Sequence, residues 1–185
     1  MEAQATARKQ LTPPKTVLGI DPGPDKSAFV VLDWANMAVL AFGHEDNDRL
    51  LAIIETTAVD DMAVENVSYY GPHANIGATT IDTARWVGRF QDRRITGGKI
   101  PNDGGIPNVA LIKNQTVRVC LCGNVAVKKN NVHQAVKDRF PRTGGGACPQ
   151  KGTKKEPGPL YGMSGNHIWD ALAIAITFTI QEQQR

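Results

Sequence analysis

Short apolar blocks separated by turn residues fill the first third of the chain. "TVLGIDPG" is an apolar run closed by a turn, and "SAFVVLD" and "MAVLAFGHE" follow at meander-like spacing, which predicts strands joined as antiparallel hairpins. In "DNDRLLAIIETT", Leu50, Leu51, Ile53 and Ile54 recur at helical spacing behind Asp46 or Asp48 as the capping residue. "DMAVENVSYYG" is again strand-like. From Gly77 to Arg94, Ile76, Thr80, Thr83, Val87 and Phe90 form a seam at alternating steps of four and three, with Arg85, Arg89 and Arg93 on a neighbouring stripe. That is an amphipathic helix whose seam serves either the core or a second copy of the chain. "VALIKNQTVRVCLCGN" predicts a strand region in which the alternation of "VRVCLCG" buries both thiols, and "NNVHQAVKDRF" a short helix capped by Asn130 or Asn131. A last helix runs from about Asn166 to Gln183. The order, three strands, helix, strand, helix, strand, helix, helix, predicts an α/β domain with a mixed sheet flanked by helices.

A chain of 185 residues suits a single domain. Residues 1–15 are polar, end near Pro13-Pro14 and read as a flexible tail ahead of one domain over 16–185. Within it, residues 141–164 are rich in glycine, proline and lysine and too poor in apolar residues to pack, so they read as a mobile basic loop. No signal-peptide core opens the chain, and Asp170 interrupts the longest apolar stretch, so neither export nor a membrane is expected and the cytoplasm is. Cys120, Cys122 and Cys148 make an odd count, which fits reduced thiols. Cys120-Leu121-Cys122 lacks the spacing and the second pair of a zinc site. Charge changes the picture more: the formal net charge is only +3, yet basic residues concentrate after residue 84 and acidic ones between Asp33 and Glu65. Such polarity favours a polyanionic partner. The loop "GGKIPNDGGIPN" lacks the Gly-Lys-Ser/Thr ending of a P-loop, and no nucleotide cofactor is expected.

Three acids stand where apolar neighbours predict burial. Asp21 ends the strand "VLGI", Glu65 interrupts "MAV" and "NV", and Asp170 sits inside "IWDALAIAI". Taken singly each has an ordinary explanation: Asp21 as a turn residue before Pro22-Gly23, Glu65 on a solvent-facing strand position, Asp170 on the polar side of a helix. Their recurrence in three separate apolar elements points instead to a common compensation, because an unpaired buried carboxylate is costly. His167 lies three residues before Asp170, hence on the same helix face. Carboxylate oxygens with an imidazole suit hard cations such as Mg²⁺ or Mn²⁺, and a pair of them roughly 3.5–4 Å apart would serve phosphodiester cleavage.

With these residues in place the chain resembles the RuvC-like Holliday-junction resolvases of the ribonuclease H fold, especially the bacteriophage versions. The resemblance rests on "VLGIDPGPDKSAFVVLD", "MAVENVSYYG", "TVRVCLCGNVAVKKNNVHQAV" and "GNHIWDALAIAI", in the family's order, across most of residues 16–180. It implies a ribonuclease H-like fold with a mixed five-stranded sheet, and Asp21, Glu65, His167 and Asp170 as the catalytic, metal-binding tetrad, with Mg²⁺ or Mn²⁺ as cofactor. It also implies a homodimer that resolves four-way DNA junctions by paired symmetric nicks, leaving 5′-phosphate and 3′-hydroxyl ends, in the bacterial host cytoplasm if the chain is phage-encoded. Arg118 and Lys129, with Lys128 as neighbour, fall where the family has basic residues near the scissile phosphate. Tyr69 and Tyr70 are the candidates for the family's base-stacking wedge, slightly shifted. The basic insertion, with Lys151, Lys154 and Lys155, is longer than in compact members and is expected to bind DNA. The alternatives are a broader branched-DNA or flap nuclease of the same fold and a non-catalytic junction-binding protein.

Overall fold

The computed structural model describes residues 15–67, 77–97 and 108–185. Strands β1 (Thr16–Asp21), β2 (Lys26–Asp33) and β3 (Ala38–Asp46) form an antiparallel meander. The turn between β2 and β3 is set by Asp33, whose carboxylate accepts the backbone N–H groups of Ala35 and Asn36. Helix α1 (Asn47–Thr56) then returns the chain to β4 (Asp61–Asn66), which pairs parallel with β1. Helix α2 (Ala78–Gly97) lies between β4 and β5 (Asn108–Lys113), and β5 pairs parallel with β4. The sheet order is β3-β2-β1-β4-β5, so the mixed five-stranded sheet flanked by helices is as expected. Helices α3 (Asn114–Cys122), α4 (Lys129–Lys137) and α5 (Asn166–Gln183) complete the chain.

Period-two alternation assigns the strand side chains to two cores. Leu18, Ile20, Phe29, Val31, Met62 and Val64 face α1 and α2. Val17, Ala28, Val30, Leu32, Ala63 and Ile112 face α5, with α3 and α4 beside it. α5 is buried almost all round, as an alanine-rich helix lying centrally on a sheet requires. It comes so close to β1 that a Cβ on Gly19 would strike the Ala171 carbonyl and stand 2.8 Å from the Ala175 Cβ. Gly19 therefore sets the height of α5 above the sheet.

Several local expectations are corrected. Residues 114–122 are helix, not strand: Val117 and Leu121, four apart, are the buried pair, while Val119 is 49% exposed. Gly123, at φ 72°, ends that helix in the left-handed conformation a glycine adopts freely. Cys120 and Cys122 are consequently only half-buried. Asp46 holds the N-cap position of α1 without capping it, and its carboxylate pairs with Lys26 at 3.2 Å. α4 starts one residue ahead of Asn130, with Lys128 at its N-cap position. The 141–164 segment does pack: Leu160 and Met163 are buried, and Gln150 with them. Backbone hydrogen bonds from Gly144 to Pro149, Gly145 to Glu156 and Leu160 to Gln150 tie its turns together. Glycine and proline supply the turns, and two apolar anchors suffice to seat them. Among the described residues no helix is long and apolar enough to cross a membrane.

Candidate active site

The two strand acids meet because of register. In the parallel pair, Ile20 stands opposite Val64, so Asp21 and Glu65 follow side by side at the strands' C-terminal ends. Alternation turns both toward α5: Gly19 and Ala63, two residues earlier, lie under that helix. α5 supplies His167 and Asp170 from one face of its first turns. His167 Nδ1 donates to Asp21 Oδ2 at 2.8 Å.

The carboxyls of Asp21 and Glu65 hydrogen-bond to each other. Burial raises Asp21 to about 6, opposed by that hydrogen bond, with Asp170 raising and Lys129 lowering it further. Burial raises Glu65 to about 8, reinforced by the charge and hydrogen bond of Asp21. Two acids in one desolvated place favour a proton held between them, as burial and repulsion from neighbouring carboxylates raise both carboxyls above their usual range. A cation entering the site would replace that proton.

Asp170 is held at both oxygens from α4. Lys129 Nζ pairs with Oδ2 at 2.5 Å, and His133 Nε2 donates to Oδ1 at 2.9 Å. Lys129 and His133 are one helical turn apart, and His133 is buried against Trp169. On the sheet side, Asn114 donates to Glu65 Oε1 at 3.1 Å. Neither His133 nor Asn114 stands out in the sequence. The i, i+4 spacing of Lys129 and His133 is the one available signal for the first; the second is hidden when its helix is taken for a strand. His44, on β3 opposite Ala28, stacks on the His167 ring at 5.3 Å. Burial, His167 and Lys26 together push His44 below its usual range.

Asp21, Glu65, His167 and Asp170 thus line one cleft of about 270 Å³, together with Arg118 and Lys129. Lys128 is exposed and outside this lining. Lys154 and Lys155 are exposed on the 141–164 segment, while Lys151 lies 5.9 Å over the Trp169 ring, with Lys137 at 5.4 Å. Tyr69 and Tyr70, the wedge candidates, lie outside the described residues. Of the α2 arginines, Arg85, Arg89 and Arg93 pair with Asp82, Asp48 and Glu55.

Asp21, His167 and Asp170 each offer a ligand atom within 4.8 Å of the others. Oxygen donors with one imidazole nitrogen fit a hard divalent cation, and the raised carboxyls of Asp21 and Glu65 mark crowded negative charge that such an ion would neutralise.

No family model matches the chain, and no curated protein sequence does. Solved structures do. The structure of Thermus thermophilus RuvC aligns with a TM-score of 0.61 at 19% identity, covering 91% of this chain and 96% of that one. T. thermophilus RuvC in complex with Holliday junction substrate aligns with a TM-score of 0.58 at 19% identity, covering 92% and 96%. The fold, a mixed five-stranded sheet flanked by helices, is ribonuclease H-like and matches that of the RuvC structures.

Proposed function

We propose that the chain is a metal-dependent, structure-selective DNA endonuclease that cuts four-way junctions by paired symmetric nicks, as a homodimer. The observation that carries this reading is the convergence of Asp21, Glu65, Asp170 and His167 at one end of the sheet, where elements distant in sequence deliver carboxylate and imidazole groups to one cleft. The likeness to a fold solved with a Holliday junction substrate adds support for the choice of DNA.

Asp21, Glu65, His167 and Asp170 would hold Mg²⁺ or Mn²⁺. When bound, such ions activate water and stabilise charge on the leaving oxygen. The chain itself does the rest. His167 Nδ1 orients Asp21, and His133 with Lys129 fixes both oxygens of Asp170. Lys129 and Arg118 bring positive charge to the cleft where a phosphate would lie, which stabilises charge that develops there in cleavage. Lys128, Lys151, Lys154 and Lys155, outside the cleft lining, would meet the backbone of a DNA arm.

Asp21→Asn tests the reading. It removes a ligand charge without touching the DNA surface, so Mg²⁺-dependent junction cleavage is expected to fall by more than about 100-fold while junction binding in Ca²⁺ is kept. Cleavage that survives the substitution refutes the metal assignment.

A further inference from the structure

β5 ends at Lys113 and α3 begins at Asn114 with no intervening turn. Pairing places Glu65 opposite Ile112 and Asn66 opposite Lys113, so Asn114 follows at the edge of the sheet beside the cleft. Its Nδ2 donates to Glu65 Oε1 at 3.1 Å. Its Oδ1 accepts from Arg118 Nε at 2.8 Å, one turn further along α3.

These two bonds are not independent. A guanidinium only donates, so the Asn114 atom facing it must be the oxygen, and the amide nitrogen is thereby turned toward Glu65. A flipped amide would set nitrogen against nitrogen and oxygen against a carboxyl oxygen, losing both bonds at once. Arg118 is itself held, because its Nη1 donates to the Val125 and Val127 carbonyls at 3.3 and 3.2 Å. Most of its hydrogen-bonding capacity is therefore committed within the chain.

We infer that Arg118 is a positioning residue that acts through Asn114: it locks the amide orientation, and the amide in turn fixes the Glu65 carboxyl against Asp21. This goes beyond a phosphate-binding role for Arg118. It rests on the nuclease reading for its kinetic consequence alone.

The test is a double-mutant cycle on the full-length protein with Arg118→Met and Asn114→Ala, read in two ways. In metal-free, DNA-free protein, the ¹³C resonance of the Glu65 carboxyl should move with Arg118→Met, and Arg118→Met should add nothing once Asn114→Ala is present. In junction cleavage with Mg²⁺, each single variant should lower kcat by roughly 10–100-fold with KM little changed, and the double variant should be no slower than the worse single. Arg118→Lys keeps the charge but cannot place a donor at the Nε position, so it should behave like Arg118→Met. A raised KM with kcat preserved, multiplicative losses in the double variant, activity restored by lysine, or an unmoved Glu65 resonance would each overturn the lock. A wild-type protein that cuts no DNA yet shows the coupled resonance shift retains the lock and sinks the nuclease reading. Cleavage with an unmoved resonance does the reverse.

Discussion

Replacing Glu65 by glutamine should stabilise the metal-free protein, and do so increasingly as the pH rises. The carboxyl of Glu65 is raised from 4.5 to about 8, so the folded state binds a proton that the unfolded state releases. Such a group contributes stability that is fully present below about 4.5 and lost as the pH climbs through about 8. A shift of that size bounds the loss at about 5 kcal/mol, and relaxation of the ionised site leaves about 2–3 kcal/mol. Glutamine mimics the protonated acid: its amide can donate to Asp21 while its oxygen accepts from Asn114. Glu65→Gln should therefore match the wild type near pH 4.5 and exceed it above pH 8, by roughly 5–10 °C in Tm for a chain of this size. Thermal melts in EDTA from pH 4.5 to 9 read this directly. Mg²⁺ added to the wild type should narrow the gap, most at high pH, because the ion replaces the proton. A variant less stable at every pH, or a wild-type curve with no downward slope between pH 5 and 8, would refute the shared-proton description of the site.

Gly19→Ala inserts a methyl between β1 and α5; it should cost about 1–3 kcal/mol in denaturant melts and, by lifting His167 and Asp170 from Asp21, cut junction cleavage by about 100-fold. Arg94, fully buried, donates to the Val59 and Asp60 carbonyls and joins α2 to the start of β4; Arg94→Met should cost about 2–4 kcal/mol, and an unchanged urea midpoint would remove it from the fold's supports. Replacing Lys151, Lys154 and Lys155 together by alanine should reduce the salt slope of junction binding by about 0.9 for each phosphate no longer neutralised; an unchanged slope would show that the 141–164 segment does not bind the DNA backbone.

Patterning reveals the strands because they are short apolar runs bounded by turn residues, α1 and α2 because each buries one regular face, and α5 because it buries nearly every residue. The acids are legible for the same reason, as charges set into apolar runs. α3 is misread because "VRVCLCG" satisfies both periods over so short a span, and only the sheet decides that Val117 and Leu121 go inward together. That error carries Asn114 with it and leaves Arg118 looking like a bare cation. His133 is hard to read for another reason: its partner Asp170 lies 37 residues away, and the i, i+4 spacing from Lys129 marks a shared helix face without naming what that face meets. Composition misjudges the 141–164 segment because it counts apolar residues but not where Leu160 and Met163 sit.

The most direct measurement is incubation of the purified protein with Mg²⁺ and an immobile four-way junction, beside linear duplex, flap DNA and an RNA–DNA hybrid, with Asp21→Asn in parallel. Paired, symmetric, ligatable nicks confined to the junction, and absent from Asp21→Asn, are the predicted result. Cutting spread over flaps or hybrids, or junction binding with no metal-dependent cut, would contradict it.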